Sequence, residues 1–128
     1  MVKEQDFANI AFDLEEAGLL WRPAIGDEVC SRSEPVQVSI LVDSAGMKPE
    51  QLRGFYLWLP TVEQLVFQLE VRHAILKHAG LELKPDQMIY KSVVETNYGV
   101  IEGQGRSLRG SIAVSLRDLL QLSSSTIH

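Results

Sequence analysis

The sequence predicts an α+β fold, a mostly antiparallel sheet of about four to five strands packed against three main helices in the order α-β-β-β-α-β-β-α. Apolar residues recur at helical spacing in three long segments and alternate with polar residues in others. Hairpin-like spacing near both ends favours antiparallel pairing. The 128 residues are predicted to form a single globular domain, residues 1–128, which buries roughly two-thirds of its unfolded surface.

The first element is predicted to be a helix near the start of the chain. Its apolar residues recur at three- and four-residue spacing, as on one face of an amphipathic helix: Phe7, Ile10, Ala11, Leu14 and Ala17. Gly18 predicts the helix end, because glycine takes the left-handed conformation that closes a helix without strain.

Three β segments are predicted next, with a short helix before the third. Residues 28–31 form a short strand, and residues 36–42 alternate as in a strand with one buried face. Pro49 suits the first turn of a brief helix. Residues 54–59 are apolar on both faces, which predicts a strand buried on both sides and ended by Pro60, and a short apolar run also fits a helix.

A long helix is predicted over residues 61–79. Thr61 and Gln64 form a capping box at its start, and Gly80 is expected to end it. One apolar arc of this helix faces the core, and a second apolar arc lies nearly opposite. A helix that is apolar on two faces is covered either by its own domain or by another subunit, so the second arc is the predicted interface of a homodimer: Phe67, Val71, Ala74 and Ile75.

Two strands and a final helix are predicted for the C-terminal part. Residues 88–95 and 100–102 form a hairpin, and Gly99 stands where its loop requires a left-handed residue. Ser107 is predicted to cap the final helix, which carries an apolar stripe. Residues 122–128 are expected to fray.

Composition and charge disfavour several classes of protein. Hydrophobic residues make up 45% of the chain, yet no apolar run approaches the roughly 20 residues that a membrane span requires. The net charge of −5 makes nucleic-acid or membrane binding unfavourable and favours a basic protein partner. The lone Cys30 excludes an internal disulfide and a multi-cysteine zinc site, and together with an N-terminus that lacks the signal-peptide pattern it predicts a cytoplasmic location.

The loop at residues 103–110 is the one segment with phosphate-binding character. Its glycines, the helix start and two arginines could hold an anion, so Arg106 and Arg109 are predicted ligand-binding residues. Leu108 stands where the dinucleotide fingerprint needs a glycine, and Arg109 breaks the nucleophile-elbow pattern around Ser107. The alternative is a helix cap with solvated arginines.

Trp21, Tyr56 and Trp58 form the second candidate ligand site. Tyr56 and Trp58 share one face of their strand, and the loop that carries Trp21 could reach it. Tryptophan and tyrosine line apolar pockets and anchor interfaces, and they also pack ordinary cores.

The sequence predicts neither catalytic residues nor a metal site. Glu70 and His73 have the spacing of a helical carboxylate-bridged metal site, but such sites need that pair twice. His73 and His78 would point about 140° apart on a helix, too far to share a metal. Acidic neighbours disfavour the reactive thiolate of Cys30. No cofactor is predicted, and enzymatic activity is not expected.

The strand-turn-strand-helix order at the C-terminal end resembles the outline of the double-stranded-RNA-binding domain. The basic cluster of that family is reduced here to Arg106 and Arg109, so no family is assigned. The leading hypothesis is a small acidic interaction protein that forms a homodimer and binds a protein partner. A small-ligand module with an aromatic pocket is the alternative, and a nucleic-acid-binding module is the third hypothesis.

Overall fold

The α+β class predicted from the sequence is confirmed, and its details differ. The computed structural model describes residues 4–125, which form four helices and two three-stranded antiparallel sheets in place of one larger sheet. The described residues divide into two compact units, one ending at Pro60 and the other beginning at Thr61. That residues 1–128 form a single domain stays a prediction.

The first unit has the element order α-β-β-α-β. Its elements are α1 (Glu4–Glu16), β1 (Glu28–Ser31), β2 (Val38–Ile40), α2 (Pro49–Phe55) and β3 (Tyr56–Trp58). β1 is the central strand and pairs antiparallel with both β2 and β3.

Gly18 ends α1 as predicted. Its φ of 109° lies in the left-handed region, and its N–H donates to the carbonyl oxygen of Glu15 at 3.0 Å. The N–H of Leu19 donates to the carbonyl oxygen of Leu14 at 3.0 Å. These two hydrogen bonds are the Schellman motif, which satisfies carbonyl groups that the helix end would otherwise leave unpaired.

The predicted strand over residues 54–59 is shorter than expected. α2 begins at Pro49 as predicted, but it continues through Phe55, so only Tyr56–Trp58 pair with β1. Phe55 is 54% exposed and does not lie in a strand buried on both sides.

The second unit has the element order α-β-β-β-α. Its elements are α3 (Val62–Val71), β4 (Ile75–Lys84), β5 (Gln87–Thr96), β6 (Gly99–Gly105) and α4 (Leu108–Ser125). The three strands form an antiparallel meander with β5 at the centre. α4 packs on β5 and β6, and α3 packs against α4 and β4.

The start of α3 matches the prediction, and its end does not. The capping box is present: the N–H of Gln64 donates to Oγ1 of Thr61 at 3.2 Å, and the N–H of Thr61 donates to Oε1 of Gln64 at 2.9 Å. The helix ends at Val71, because His73 takes a φ of 60° and turns the chain away from the helix axis. The prediction of one helix over residues 61–79 is therefore wrong in its second half.

The second half of that segment belongs to β4. From Ile75 onward its backbone pairs with β5, and Gly80 lies opposite Lys91 within the strand instead of ending a helix. Nonlocal strand pairing overrides a local helical periodicity when it satisfies the same backbone groups.

α4 lies close to the sheet because small residues line both surfaces. A Cβ atom added to Gly103 would lie 2.5 Å from the carbonyl oxygen of Ser111 and 2.5 Å from Oγ of Ser115. The buried hydroxyl of Ser92 donates to the Ser111 carbonyl oxygen at 2.8 Å, so the Ser115 hydroxyl is the donor in its 2.6 Å hydrogen bond with Ser92. We call Ser92, Gly103, Ser111 and Ser115 the glycine–serine seam.

Ser107 caps α4 as predicted, since its Oγ accepts a hydrogen bond from the N–H of Gly110 at 2.9 Å. α4 continues through Ser125, so residues 122–125 of the expected frayed tail are helical, and residues 126–128 lie outside the described range. Within residues 4–125, no helix is both long and apolar enough to cross a membrane.

Candidate functional site

α3 exposes apolar side chains on one side. Leu65 and Leu69 are buried, whereas Phe67 is 57% exposed and Val71 is 48% exposed. Phe67 and Val71 are four residues apart, so they are neighbours on the helix surface. α3 therefore presents an apolar surface to solvent as well as to its own core.

Three of the four predicted interface residues are exposed. They are Phe67 and Val71 on α3, and Ile75, which is 54% exposed at the start of β4. Ala74 is 8% exposed, and its N–H donates to the carbonyl oxygen of Leu69, so it belongs to the turn that closes α3. The interface role of these residues stays a prediction, and Ala74 is too buried to contribute much contact area.

A second exposed apolar surface lies at the tip of the β4–β5 hairpin, at Leu81, Leu83 and Met88, which are 48%, 74% and 69% exposed. Leu81 pairs with Tyr90, and Leu83 pairs with Met88. Side chains alternate along a strand, so these residues share the sheet face on which Ser92 contacts α4. We call Leu81, Leu83 and Met88 the hairpin tip.

The hairpin tip is exposed because β4 and β5 are longer than β6. Tyr90 pairs with Gly105, the last residue of β6, so residues 87–89 of β5 have no partner on that strand. No motif in the sequence predicts a functional role for Leu81, Leu83 or Met88. The one local signal is that Leu81, Leu83 and Met88 flank the turn at Pro85.

Lys91 occupies the centre of the opposite sheet face. Its Nζ lies 3.0 Å from Oε1 of Glu102 on β6 and 3.9 Å from Oε2 of Glu82 on β4. The hydrogen bond to Glu102, and then the negative charges of Glu102 and Glu82, raise the pKa of Lys91. Two carboxylates thus offset the one positive charge at the middle of this face, which makes it a poor surface for a phosphate backbone.

Trp21, Tyr56 and Trp58 come together in the first unit. Trp21 is buried in a core cluster with Val29, Leu41 and Leu52, and Tyr56 and Trp58 pack against that cluster. The Trp21 Nε1–H donates to Oδ2 of the buried Asp27 at 2.8 Å. These aromatic residues therefore build a core.

The cavity beside this cluster is small. Leu14, Glu15, Trp21 and Trp58 are among its lining residues, and its volume is about 20 Å³. A single water molecule needs roughly 10–15 Å³ on this measure, and pockets for organic ligands are commonly about 300–1,000 Å³. The cavity can hold a water molecule and cannot hold an organic ligand without rearrangement.

Arg106 and Arg109 lie in the second unit at the start of α4. Arg106 is exposed, Arg109 is partly buried, and Ser107 between them uses its side chain to cap the helix. The structure thus brings these two arginines to the same turn, and their anion-binding role stays a prediction.

Cys30 lies buried in β1. Burial raises the pKa of the Cys30 thiol, and the positive charge of Arg32 offsets this in part. A thiol with a raised pKa is protonated at neutral pH and is a weak nucleophile. Among the residues described, no group of three histidine, cysteine or acidic side chains could hold a metal ion.

The chain matches no protein-family model, no curated protein and no solved structure.

Proposed function

We propose that this protein is a non-catalytic interaction module that forms a homodimer and binds a protein partner. The observation that carries the proposal is the exposure of large apolar side chains at two places in the second unit, at Phe67 and Val71 on α3 and at the hairpin tip. Scattered exposed apolar residues are ordinary on a protein surface, but neighbouring ones on regular elements are typical of binding surfaces.

The energetic scale supports an association of moderate strength. Complete burial of a leucine or phenylalanine side chain contributes roughly 1.5–3 kcal/mol. Five side chains that are already partly buried gain less than this each, and their burial in each of two copies is of the same order as an association cost of about 4–15 kcal/mol.

The net negative charge lies in the first unit, which supports a basic protein as the partner in addition to the second copy of the chain. Residues 1–60 contain ten acidic and five basic residues, whereas residues 61–128 contain seven of each. The field of the first unit therefore attracts a basic surface, while the second unit carries no net charge that would oppose self-association. A cytoplasmic location belongs to the same proposal and is compatible with the free, buried thiol of Cys30.

Native mass spectrometry of the wild type and of Phe67→Glu tests self-association. We expect a wild-type dimer and a monomeric variant that remains folded by circular dichroism, because the side chain at 67 is mostly in solvent. Val42→Glu is the matched control: it adds the same charge at an apolar residue of the first unit that is 75% exposed, and it should stay dimeric. A wild type that is monomeric at every concentration would contradict the proposal.

The ligand-binding alternative is less well supported, because the cavity beside Trp21 and Trp58 has the volume of about one water molecule. It would regain support if phosphates, carboxylates or nucleotides raised the melting temperature and Arg106→Ala abolished that rise. The nucleic-acid hypothesis requires binding that weakens steeply with salt.

A further inference from the structure

The sulfur-containing side chains of the described residues, Cys30, Met47 and Met88, differ in their access to solvent. Cys30 is fully buried, and Met47 is half-buried against the core cluster that contains Trp21. Met88 is 69% exposed on the hairpin tip of the second unit. Because an oxidant must reach the sulfur atom, Met88 is the most susceptible of the three groups.

We infer that Met88 is a reversible oxidation site, at which conversion of the thioether to the sulfoxide gives the apolar hairpin tip a polar group and weakens self-association. The effect on association rests on the proposed function. The assignment of the site does not, since it follows from the exposure of the sulfur-containing side chains.

The reaction with hydrogen peroxide needs no cofactor. The sulfur atom of Met88 attacks one peroxide oxygen, so that an S–O bond forms as the O–O bond breaks. The proton of the transferred hydroxyl group passes to the departing hydroxide, which leaves as water. The thioether is thus oxidised and the peroxide is reduced, and methionine sulfoxide reductases reverse the change.

Met88 occupies the part of the hairpin tip that a sulfoxide changes most. It stands directly opposite Leu83, and the two side chains share the face that also carries Leu81. Met88 and Leu83 are more exposed than Leu81. A sulfoxide oxygen accepts hydrogen bonds, and its burial without a donor costs free energy. Oxidation therefore weakens any dimer that buries the hairpin tip.

Oxidation at Met88 should leave the fold intact, because the residue lies outside the packed part of the second unit. Residues 87–89 pair with β4 and have no partner on β6, and the glycine–serine seam begins farther along β5 at Ser92. Met47 differs, since it packs against a core cluster where a polar oxygen lowers stability. The two methionines therefore distinguish a surface effect from an unfolding effect.

Peptide mapping by mass spectrometry identifies the site. The wild-type chain is treated with dilute hydrogen peroxide at a protein concentration where native mass spectrometry shows the monomer, and it is digested at successive times. We expect the peptide that contains Met88 to gain the mass of an oxygen atom several-fold faster than the peptide that contains Met47. A rate at Met47 equal to or above that at Met88, with circular dichroism unchanged, would overturn the assignment.

Native mass spectrometry before and after oxidation measures the effect on association. We expect the dimer to weaken by about tenfold or more, because each copy would bury an unpaired polar oxygen, and to recover after treatment with methionine sulfoxide reductases. Met88→Leu has no sulfur at this position, so its dimer constant should be the same before and after peroxide. Met47→Leu keeps Met88, and its dimer should weaken as the wild-type dimer does.

The outcomes separate this inference from the function on which it rests. A dimer that is unchanged after complete oxidation of Met88 would overturn the effect on association and keep self-association. A wild type that is monomeric at every concentration would overturn self-association and the effect on it, and the peptide map alone then decides the site.

Discussion

Gly18 and His73 occupy the same position in the same helix-ending motif. Gly18 N–H donates to Glu15 at the end of α1, and His73 N–H donates to the carbonyl oxygen of Glu70 at the end of α3, both at 3.0 Å. The N–H of Leu19 donates to the carbonyl oxygen of Leu14, and the N–H of Ala74 donates to the carbonyl oxygen of Leu69. One helix thus ends on the residue type that suits a left-handed backbone, and the other ends on a histidine with φ 60°.

His73→Gly should stabilise the protein. The left-handed region costs a residue with a Cβ roughly 1–2 kcal/mol, which glycine avoids. The greater conformational freedom of glycine in the unfolded chain offsets about 0.5–1 kcal/mol of this gain. We expect a net gain of several tenths of a kcal/mol to about 1 kcal/mol in urea unfolding. Gly18→Ala is the opposite control and should destabilise, since φ 109° is strained for alanine. A loss of stability in His73→Gly would show that the histidine side chain contributes more than its backbone strain costs.

Gly103→Ala should be strongly destabilising. Its new Cβ atom would lie 2.5 Å from a helix carbonyl oxygen and from Oγ of Ser115, so α4 must move away from the sheet. Overpacking of this kind costs about 1–3 kcal/mol, and lost hydrogen bonds at Ser92 would add to it. Gly54→Ala is the control, because nothing lies within 4 Å of its Cβ position and it is in a helix. Thermal unfolding that ranks Gly103→Ala equal to Gly54→Ala would contradict the close packing of the seam.

Asp27→Ala should loosen the loop that carries Trp21. The carboxylate accepts from the Trp21 Nε1–H at 2.8 Å and from the Ala24 N–H at 3.0 Å, and an unpaired buried donor costs about 1–3 kcal/mol. We expect a loss of stability with a red-shifted tryptophan emission. Asp43→Ala is the control, because its one described hydrogen bond, from the Ala45 N–H, is exposed and should contribute little. An unchanged emission spectrum would contradict the hydrogen bond between the Trp21 indole and Asp27.

The stability of the protein should fall at alkaline pH in part through Cys30. Burial raises the pKa of this thiol above its ordinary value of 9.0. The unfolded thiol therefore ionises first as the pH rises, and the contribution of Cys30 to stability is complete below pH 9 and declines above it. Cys30→Ala should show a shallower loss of unfolding free energy between neutral pH and pH values above 9. Equal slopes for the two proteins would contradict the raised pKa.

Features that depend on a few neighbouring residues could be predicted from the sequence. The capping box at Thr61, the cap at Ser107 and the end of α1 at Gly18 each need only three or four adjacent residues, and all three are present. The end of α3 could not be predicted in the same way, because a non-glycine residue seldom takes a left-handed backbone and the competing structure is β4 paired with a strand farther along the chain.

The candidate surface was predicted in part. The helical periodicity places Phe67 and Val71 on an arc that does not face the core, and both residues are exposed. The hairpin tip could not be predicted, because its exposure depends on where β6 stops relative to β4 and β5, a property of three strands together.

That difference in strand length separates the folding core from the candidate binding surface. The three residues of β5 beyond β6 extend the hairpin by about 10 Å. The seam that holds α4 to the sheet lies entirely below this extension. A substitution at the tip can therefore change this exposed surface without changing the contacts of the seam, so the two are separable by mutation.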